Sequence, residues 1–230
     1  MSTTFDSQPL RQAVVDGNAK QARALTAAAI AAGIDPQAVL GQALIPAMDE
    51  VGRLFSAGEF FVPELLIAAR AMKGCLEPLR PLLAQSGAKP AGRVAIGTVQ
   101  GDLHDIGKNL VAAMLEGGGF EVVDLGVDVS PERFVACVRE QGVGLIALSS
   151  LLTTTMEQMR ATIAALDAAG LRQQVKIMVG GAPVTASFAQ SIGADGYSTD
   201  ASEAVRLARR SEEHTSELQS QFHLVCRLLL

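Results

Sequence analysis

The residues with the clearest capacity for chemistry lie together in Gly101-Asp102-Leu103-His104-Asp105-Ile106-Gly107-Lys108-Asn109. An imidazole such as that of His104 can ligate a transition metal. An aspartate stands two residues before it, and glycines at both ends let the backbone approach a ligand closely. The stretch follows an apolar run, Arg93 to Val99, and precedes another, Leu110 to Leu115. It therefore reads as a loop between a buried strand and a helix. Ligands of open parallel sheets gather in such loops, at the carboxyl ends of the strands.

The elements that must position this loop follow from hydrophobic period. Beyond the small-residue linker Ser86 to Gly92, runs of strand length alternate with helical segments. The expected strands are Val94 to Val99, Glu121 to Leu125, Leu145 to Ser149, Lys176 to Val179 and Asp195 to Ser198. Helices are expected to begin near Ile106, Pro131, Thr155, Val184 and Ala201, with Ser130-Pro131 as a start signal and Asp200-Ala201-Ser202-Glu203 as a capping box. Such alternation predicts an α/β domain with a five-stranded parallel sheet covered on both faces.

Before the linker the period is helical. Leu10, Val14 and Val15 form one short face, Ala22 to Ala32 a second helix, and Asp35-Pro36 starts a third that carries Leu40, Leu44, Met48 and Val51. A fourth runs from Pro63-Glu64 toward Leu82, which predicts a four-helix bundle. Between the last two helices lies the aromatic-rich turn Val51 to Pro63. Spacing alone allows a hydrophobic staple closing a helical hairpin or a lid over a ligand.

Composition narrows the function. With 230 residues and 49% hydrophobic content the chain can bury a sizeable core. A formal charge of -5, 4% aromatic residues and no Trp argue against a nucleic-acid partner. Cys75, Cys137 and Cys226 are three and widely spaced, which fits neither a disulfide framework nor a thiolate metal site. The N-terminus lacks signal-peptide character, and no apolar run approaches the roughly 20 residues of a membrane span. The expectation is a soluble, cytoplasmic protein.

Four segments would meet at the strand ends: 101–107, 126–128, 149–155 and 180–183. Three familiar sites fail there. Gly101 to Lys108 has five residues rather than four between its glycines, and Asn109 stands where a P-loop needs Ser or Thr. No Gly-x-Gly-x-x-Gly follows the first strand. A phosphoacceptor receiver would want an aspartate where Ser149 lies.

Taken together, Asp102-x-His104-x-x-Gly107, Ser149-x-Leu151 and Gly180-Gly181 resemble the cobalamin-binding module of corrinoid methyl carriers, cobalamin-dependent methionine synthase and some mutases. The segment Met48-Asp49-Glu50-Val51-Gly52-x-Leu54-Phe55-x-x-Gly58-x-x-x-Val62-Pro63 is similar to the helical cap of the methyl-carrying branch. The resemblance covers about residues 8 to 210. It implies a bundle cap over residues 1–85, a linker at 86–92 and a flavodoxin- or Rossmann-like cobalamin-binding domain at 93–210. It also implies that the cofactor's own base leaves the cobalt and His104 becomes the lower ligand, with Asp102 as its partner and Thr155 as the hydroxyl on that aspartate. Such a relay would let proton uptake follow the cobalt's changing demand for a lower ligand.

By the same resemblance, Ser149 and Thr153 would hydrogen-bond the detached nucleotide arm. Leu151, Gly180 and Gly181 would line its slot, and Ala201 would lie near the base. Gly101, Leu103, Asp105 and Gly107 complete the loop beneath the corrin, and Phe55 and Val62 would cover the methyl-bearing face. The implied function is methyl transfer: a carrier, not expected to complete the reaction alone, working with a substrate-specific methyltransferase, a thiol- or folate-dependent acceptor methyltransferase and a reductive activator. A cobalamin-binding regulator and the cofactor subunit of a mutase are the alternatives. From about Ser211 the chain departs from this pattern, and the tail, with His214 and His223, is expected to be dispensable.

Overall fold

The structure, a computed structural model, describes residues 5–86 and 90–211. The tail beyond them, with His214, His223 and Cys226, lies outside the described residues. Contacts divide the chain into two compact units. One runs up to Pro90 and adds Asn109–Glu121; the other holds Ala91–Lys108 and the residues from Val122 on.

The first unit is helical. It contains α1 (Gln8–Val15), α2 (Ala19–Ala31), α3 (Pro36–Val39), α4 (Ile45–Ser56) and α5 (Val62–Gln85). Asn18 caps α2 by accepting the Gln21 N–H at 3.1 Å, and Asp35 caps α3 through Gln37. Spacing predicts one unbroken helix from Pro36 past Val51; the structure inserts a π turn, Leu40–Leu44, between α3 and α4. Pro46 explains it. A proline has no N–H for the Gln42 carbonyl and its ring crowds that carbonyl, and the widened turn, with the Ile45 N–H reaching Leu40, takes up the misfit.

The helix α5 begins with the Phe61 N–H on Glu64 Oε2 at 2.9 Å and continues through Pro78 and Pro81. It packs along α2 and against α4, while α1 packs on α2 and α4. Leu10, Val14, Leu44, Met48 and Val51 are buried, as their helical spacing predicts, and α5 buries Leu65, Met72 and Leu79 while Leu66 is exposed. No helix among the described residues is long and apolar enough to cross a membrane.

The second unit is a five-stranded parallel sheet. Its strands are β1 (Arg93–Thr98), β2 (Glu121–Asp124), β3 (Leu145–Ser149), β4 (Lys176–Gly180) and β5 (Gly196–Tyr197), in the order β2-β1-β3-β4-β5. The connections carry α6 (Ile106–Gly117), α7 (Pro131–Gln141), α8 (Glu157–Ala168) and α9 (Ala186–Ser191), and residues 201–211 form α10. Leu145–Ser149 pairs with Val94–Thr98 on one side and Lys176–Gly180 on the other. All but Ser149 of β3 is buried, as a central parallel strand requires. Gly97 makes room for the buried Phe134, whose ring lies 2.8 Å from where a Cβ would stand.

Two start signals act differently from the sequence reading. The Ser130 side chain makes no cap bond. Before α10, Asp200 accepts the Glu203 N–H at 2.8 Å, but the Glu203 carboxylate reaches back one residue further, to the N–H and hydroxyl of Thr199 at 2.8 and 2.6 Å. In this strand order β1 has β2 on one side and β3 on the other, so the order in which strands are added reverses at β1. The loops after β1 and β3 meet there, joined through Asp102, at the carboxyl edge where ligands of such a sheet bind.

Candidate functional site

The loop after β1 is built around a buried carboxylate. Asp102 is fully buried, and each of its oxygens has partners. Oδ1 accepts the His104 N–H at 3.0 Å. Oδ2 accepts the N–H groups of Leu151 and Leu152 at 2.8 and 3.2 Å, and the Thr155 hydroxyl at 2.9 Å. Ser150 Oγ lies 2.8 Å from Thr155 Oγ1 and 3.4 Å from Asp102 Oδ2. Burial alone would raise this carboxyl's pKa; the bonds from His104, Leu151, Thr155 and Leu152 outweigh it and hold the value at about 2, against the ordinary 3.8.

His104 stands over this anion. Its Nδ1 is 3.5 Å from Asp102 Oδ1, longer than a hydrogen bond, and its side chain is 55% exposed. The loop backbone is fixed from below: the Thr98 hydroxyl donates to the His104 carbonyl at 2.7 Å. On its flank, the Gly101 N–H donates to Asp128 Oδ1 at 2.7 Å, and the Asp128 N–H donates to the Asp102 carbonyl.

The structure brings Asp102, His104, Leu151 and Thr155 together through these bonds. Ser149 ends β3 half-buried, and Thr153 is exposed in the turn before α8. Gly180 ends β4, and Gly181 follows with φ 136°; a Cβ there would meet the Ser150 carbonyl oxygen at 1.9 Å. Contact between the β3 and β4 loops is thus itself a reason for glycine at 181. Ala201 is buried at the start of α10, and Gly101, Leu103, Asp105 and Gly107 are exposed along the loop. In the helical unit, Phe55 is half-buried near the end of α4 and Val62 is exposed at the first residue of α5.

Sequence reasoning missed Thr98 and, within the rim segments 126–128 and 149–155, gave no role to Asp128, Ser150 or the backbone of Leu152. Ser150 had a signal, since strand alternation turns it opposite to Ser149 and toward the buried aspartate. Thr98 and Asp128 act on backbone groups that no motif marks.

The donor set decides what this site can hold. Among the described residues no group of three or more His, Cys, Asp or Glu could cage a metal ion. His104 offers one ligand, which suits a metal that arrives with the rest of its coordination filled by its own ring. Exposed apolar side chains stand on the same loops: Leu103 and Ile106 are 73% and 69% exposed, and Val127, Leu151 and Leu152 are exposed as well. Large apolar groups left in solvent mark a binding surface. The residues present fit a flat macrocycle with a metal at its centre.

Fold and site thus define an α/β protein with an exposed imidazole and exposed apolar side chains on the loops at the carboxyl edge of its parallel sheet. Two family models described as "B12 binding domain" match residues 7–80 and 92–206. Among similar proteins is the trimethylamine corrinoid protein of Methanosarcina barkeri, 44% identical over 197 residues, 85% of this chain and 91% of that one. A corrinoid protein of Desulfitobacterium hafniense (strain Y51) is 38% identical over 204 residues, 87% of this chain and 94% of that one. The solved methanol:cobalamin methyltransferase complex of Methanosarcina barkeri aligns with TM-score 0.79 and 32% identity, over 94% of this chain and 83% of that one. A cobalamin-binding protein of Desulfitobacterium hafniense DCB-2 aligns with TM-score 0.76 and 33% identity, over 90% and 99%. The chain belongs to the family of B12-binding corrinoid proteins of methyltransferase systems, and its cofactor is a cobalamin or related corrinoid.

Proposed function

We propose that the chain is a methyl carrier that holds its corrinoid with the cofactor's own base displaced and His104 as the lower ligand. The observation that carries this reading is the one imidazole among the described residues, set against the buried anion with Nδ1 3.5 Å from Asp102 Oδ1. When bound, the corrinoid supplies a cobalt that can accept a methyl group and give it up again. Asp102, kept ionised by its four donors, favours a proton on Nδ1 of the imidazole. Nε2 is then the nitrogen left to ligate. Thr155 and Ser150 hold the carboxylate in turn.

Ser149 and Thr153 are assigned to the nucleotide arm. Neither side chain makes a hydrogen bond with another described residue, so both hydroxyls are available. Leu151, Gly180, Gly181 and Ala201 are assigned to the walls of its slot. Phe55 and Val62, on the strength of the Met48 to Pro63 sequence pattern, are assigned to the methyl-bearing face, where apolar cover keeps water out. In domain terms the reading is a cap at 1–85, a linker at 86–92, a corrinoid-binding domain at 93–210 and a dispensable tail. The partners are a methyltransferase that takes the methyl group from a small methylated compound, an acceptor methyltransferase using a thiol or folate, and a reductive activator. Relatives named for trimethylamine and dimethylamine support that donor class.

The test is the visible spectrum of the protein reconstituted with methylcobalamin. The wild type should show base-off, histidine-ligated absorption, and His104→Ala should lose it. Superimposable spectra from the two proteins would remove His104 as ligand.

A further inference from the structure

Lys108 lies four residues beyond His104, in the first turn of α6, and its side chain is only 2% exposed. A buried ammonium needs a partner to offset its lost hydration. Its Nζ lies 2.7 and 2.6 Å from the two carboxylate oxygens of Asp124, at the end of β2. Asp124 Oδ1 also accepts the Gly126 N–H at 2.9 Å. The Gly126 carbonyl accepts the Thr98 N–H at 3.0 Å, and the Thr98 hydroxyl holds the His104 carbonyl. A closed circuit therefore runs from Lys108 through Asp124, Gly126 and Thr98 back to His104, and every member of it lies in the sheet unit.

Stability alone is a weak reason to keep such a pair. Replacing a buried ion pair with apolar side chains of similar volume is often neutral or stabilising, and its best-attested use is to fix one geometry among several. What this pair fixes is the C-terminal end of the His104 loop, while Asp102 fixes the start. We propose that Lys108 and Asp124 are positioning residues for the lower ligand: they hold the loop so that the His104 ring keeps its place over Asp102. This rests on the reading of His104 as ligand.

The experiment uses the full chain loaded with methylcobalamin. The variants are Asp124→Asn, the double variant Lys108→Met/Asp124→Asn, which leaves no unpaired buried ammonium, and His104→Ala. Asp195→Asn is the control, because it breaks ion pairs to Arg172 and Lys176 elsewhere in the unit. Visible spectra, methylcobalamin titrations and melting of the cofactor-free proteins are recorded for each. Asp124→Asn and the double variant should lose a fraction of the histidine-ligated absorption and bind methylcobalamin roughly tenfold more weakly. Asp195→Asn should melt lower yet keep the wild-type spectrum.

Wild-type spectra and affinity in both Lys108–Asp124 variants, with only melting changed, would make the pair structural and overturn the inference. So would loss of histidine-ligated absorption in Asp195→Asn, which would mean that any loosening of the unit suffices. A wild-type spectrum from His104→Ala identifies a different failure, that of the ligand assignment itself, and takes this inference with it.

Discussion

Asp102 does two jobs at the scale of a single residue: it folds the loop and it faces the imidazole. Its carboxyl is held at about 2 against an ordinary 3.8. A group whose folded value is depressed contributes stability that is complete above its unfolded value and is lost as pH falls through the folded one. The window here is roughly pH 4 down to pH 2, and the contribution is about 2 kcal/mol. Denaturant midpoints of the cofactor-free protein should therefore fall across that window. Asp102→Asn should flatten that fall and lower stability at pH 7 by about 2 kcal/mol, since an amide must turn N–H groups toward donors already in place. An unchanged acid limb would show that the carboxylate is not the anion that holds the loop.

Asp102 and His104 were legible from spacing in the sequence, because both are side chains with strong chemistry two positions apart. The N–H groups of Leu151 and Leu152, 49 and 50 residues away, were not. A backbone donor carries no mark of residue type, and only the packing of the β1 and β3 loops shows where it is spent.

Elements explain why two glycines of the same motif set should behave differently on substitution. At Gly181 a Cβ would meet the Ser150 carbonyl oxygen at 1.9 Å, and the φ of 136° disfavours any L side chain. Gly181→Ala should cost about 2 kcal/mol or more, read as a fall of several degrees in melting temperature. At Gly107, in the first turn of α6, a Cβ would meet nothing within 4 Å. Gly107→Ala should leave the cofactor-free protein as stable or more so, by up to about 1 kcal/mol. If methylcobalamin binding by that variant weakens nonetheless, the open space belongs to the corrin; unaltered binding would remove Gly107 from the site.

Helix starts at Ile106 and Pro131 and the extent of β3 were readable, because period and start signals agree there. The π turn was not, since its cause, Pro46, sits inside an unbroken apolar repeat where a proline normally signals an end. Two-residue β5 was overestimated as Asp195 to Ser198, because β-propensity cannot tell a paired residue from one that continues extended beyond the ladder.

For the whole molecule, the linker and the change of period located a boundary near residue 90, but not the grouping of Asn109–Glu121 with the helices. That grouping comes from contacts such as Gly117, where a Cβ would meet the Met48 side chain at 2.7 Å, and from the Arg80–Glu116 ion pair at 3.5 Å. No local pattern announces it. The second family model ends at residue 206, and α10 is described as far as residue 211. A chain stopped after Ser211 should bind methylcobalamin with the affinity of the full-length protein, measured by titration. Loss of binding on truncation would give the tail a role in holding the cofactor.

The margins of the sheet bear on how such a protein changes company. One outermost strand, β5, has two residues, and the other, β2, has four and bears exposed acids at both ends, Glu121 and Asp124. Margins this brief and this charged give a visiting polypeptide almost no ladder to extend. On the proposed reading, a carrier that passes from one enzyme to the next gains from that, because annexation of a strand would turn a passing encounter into a lasting one.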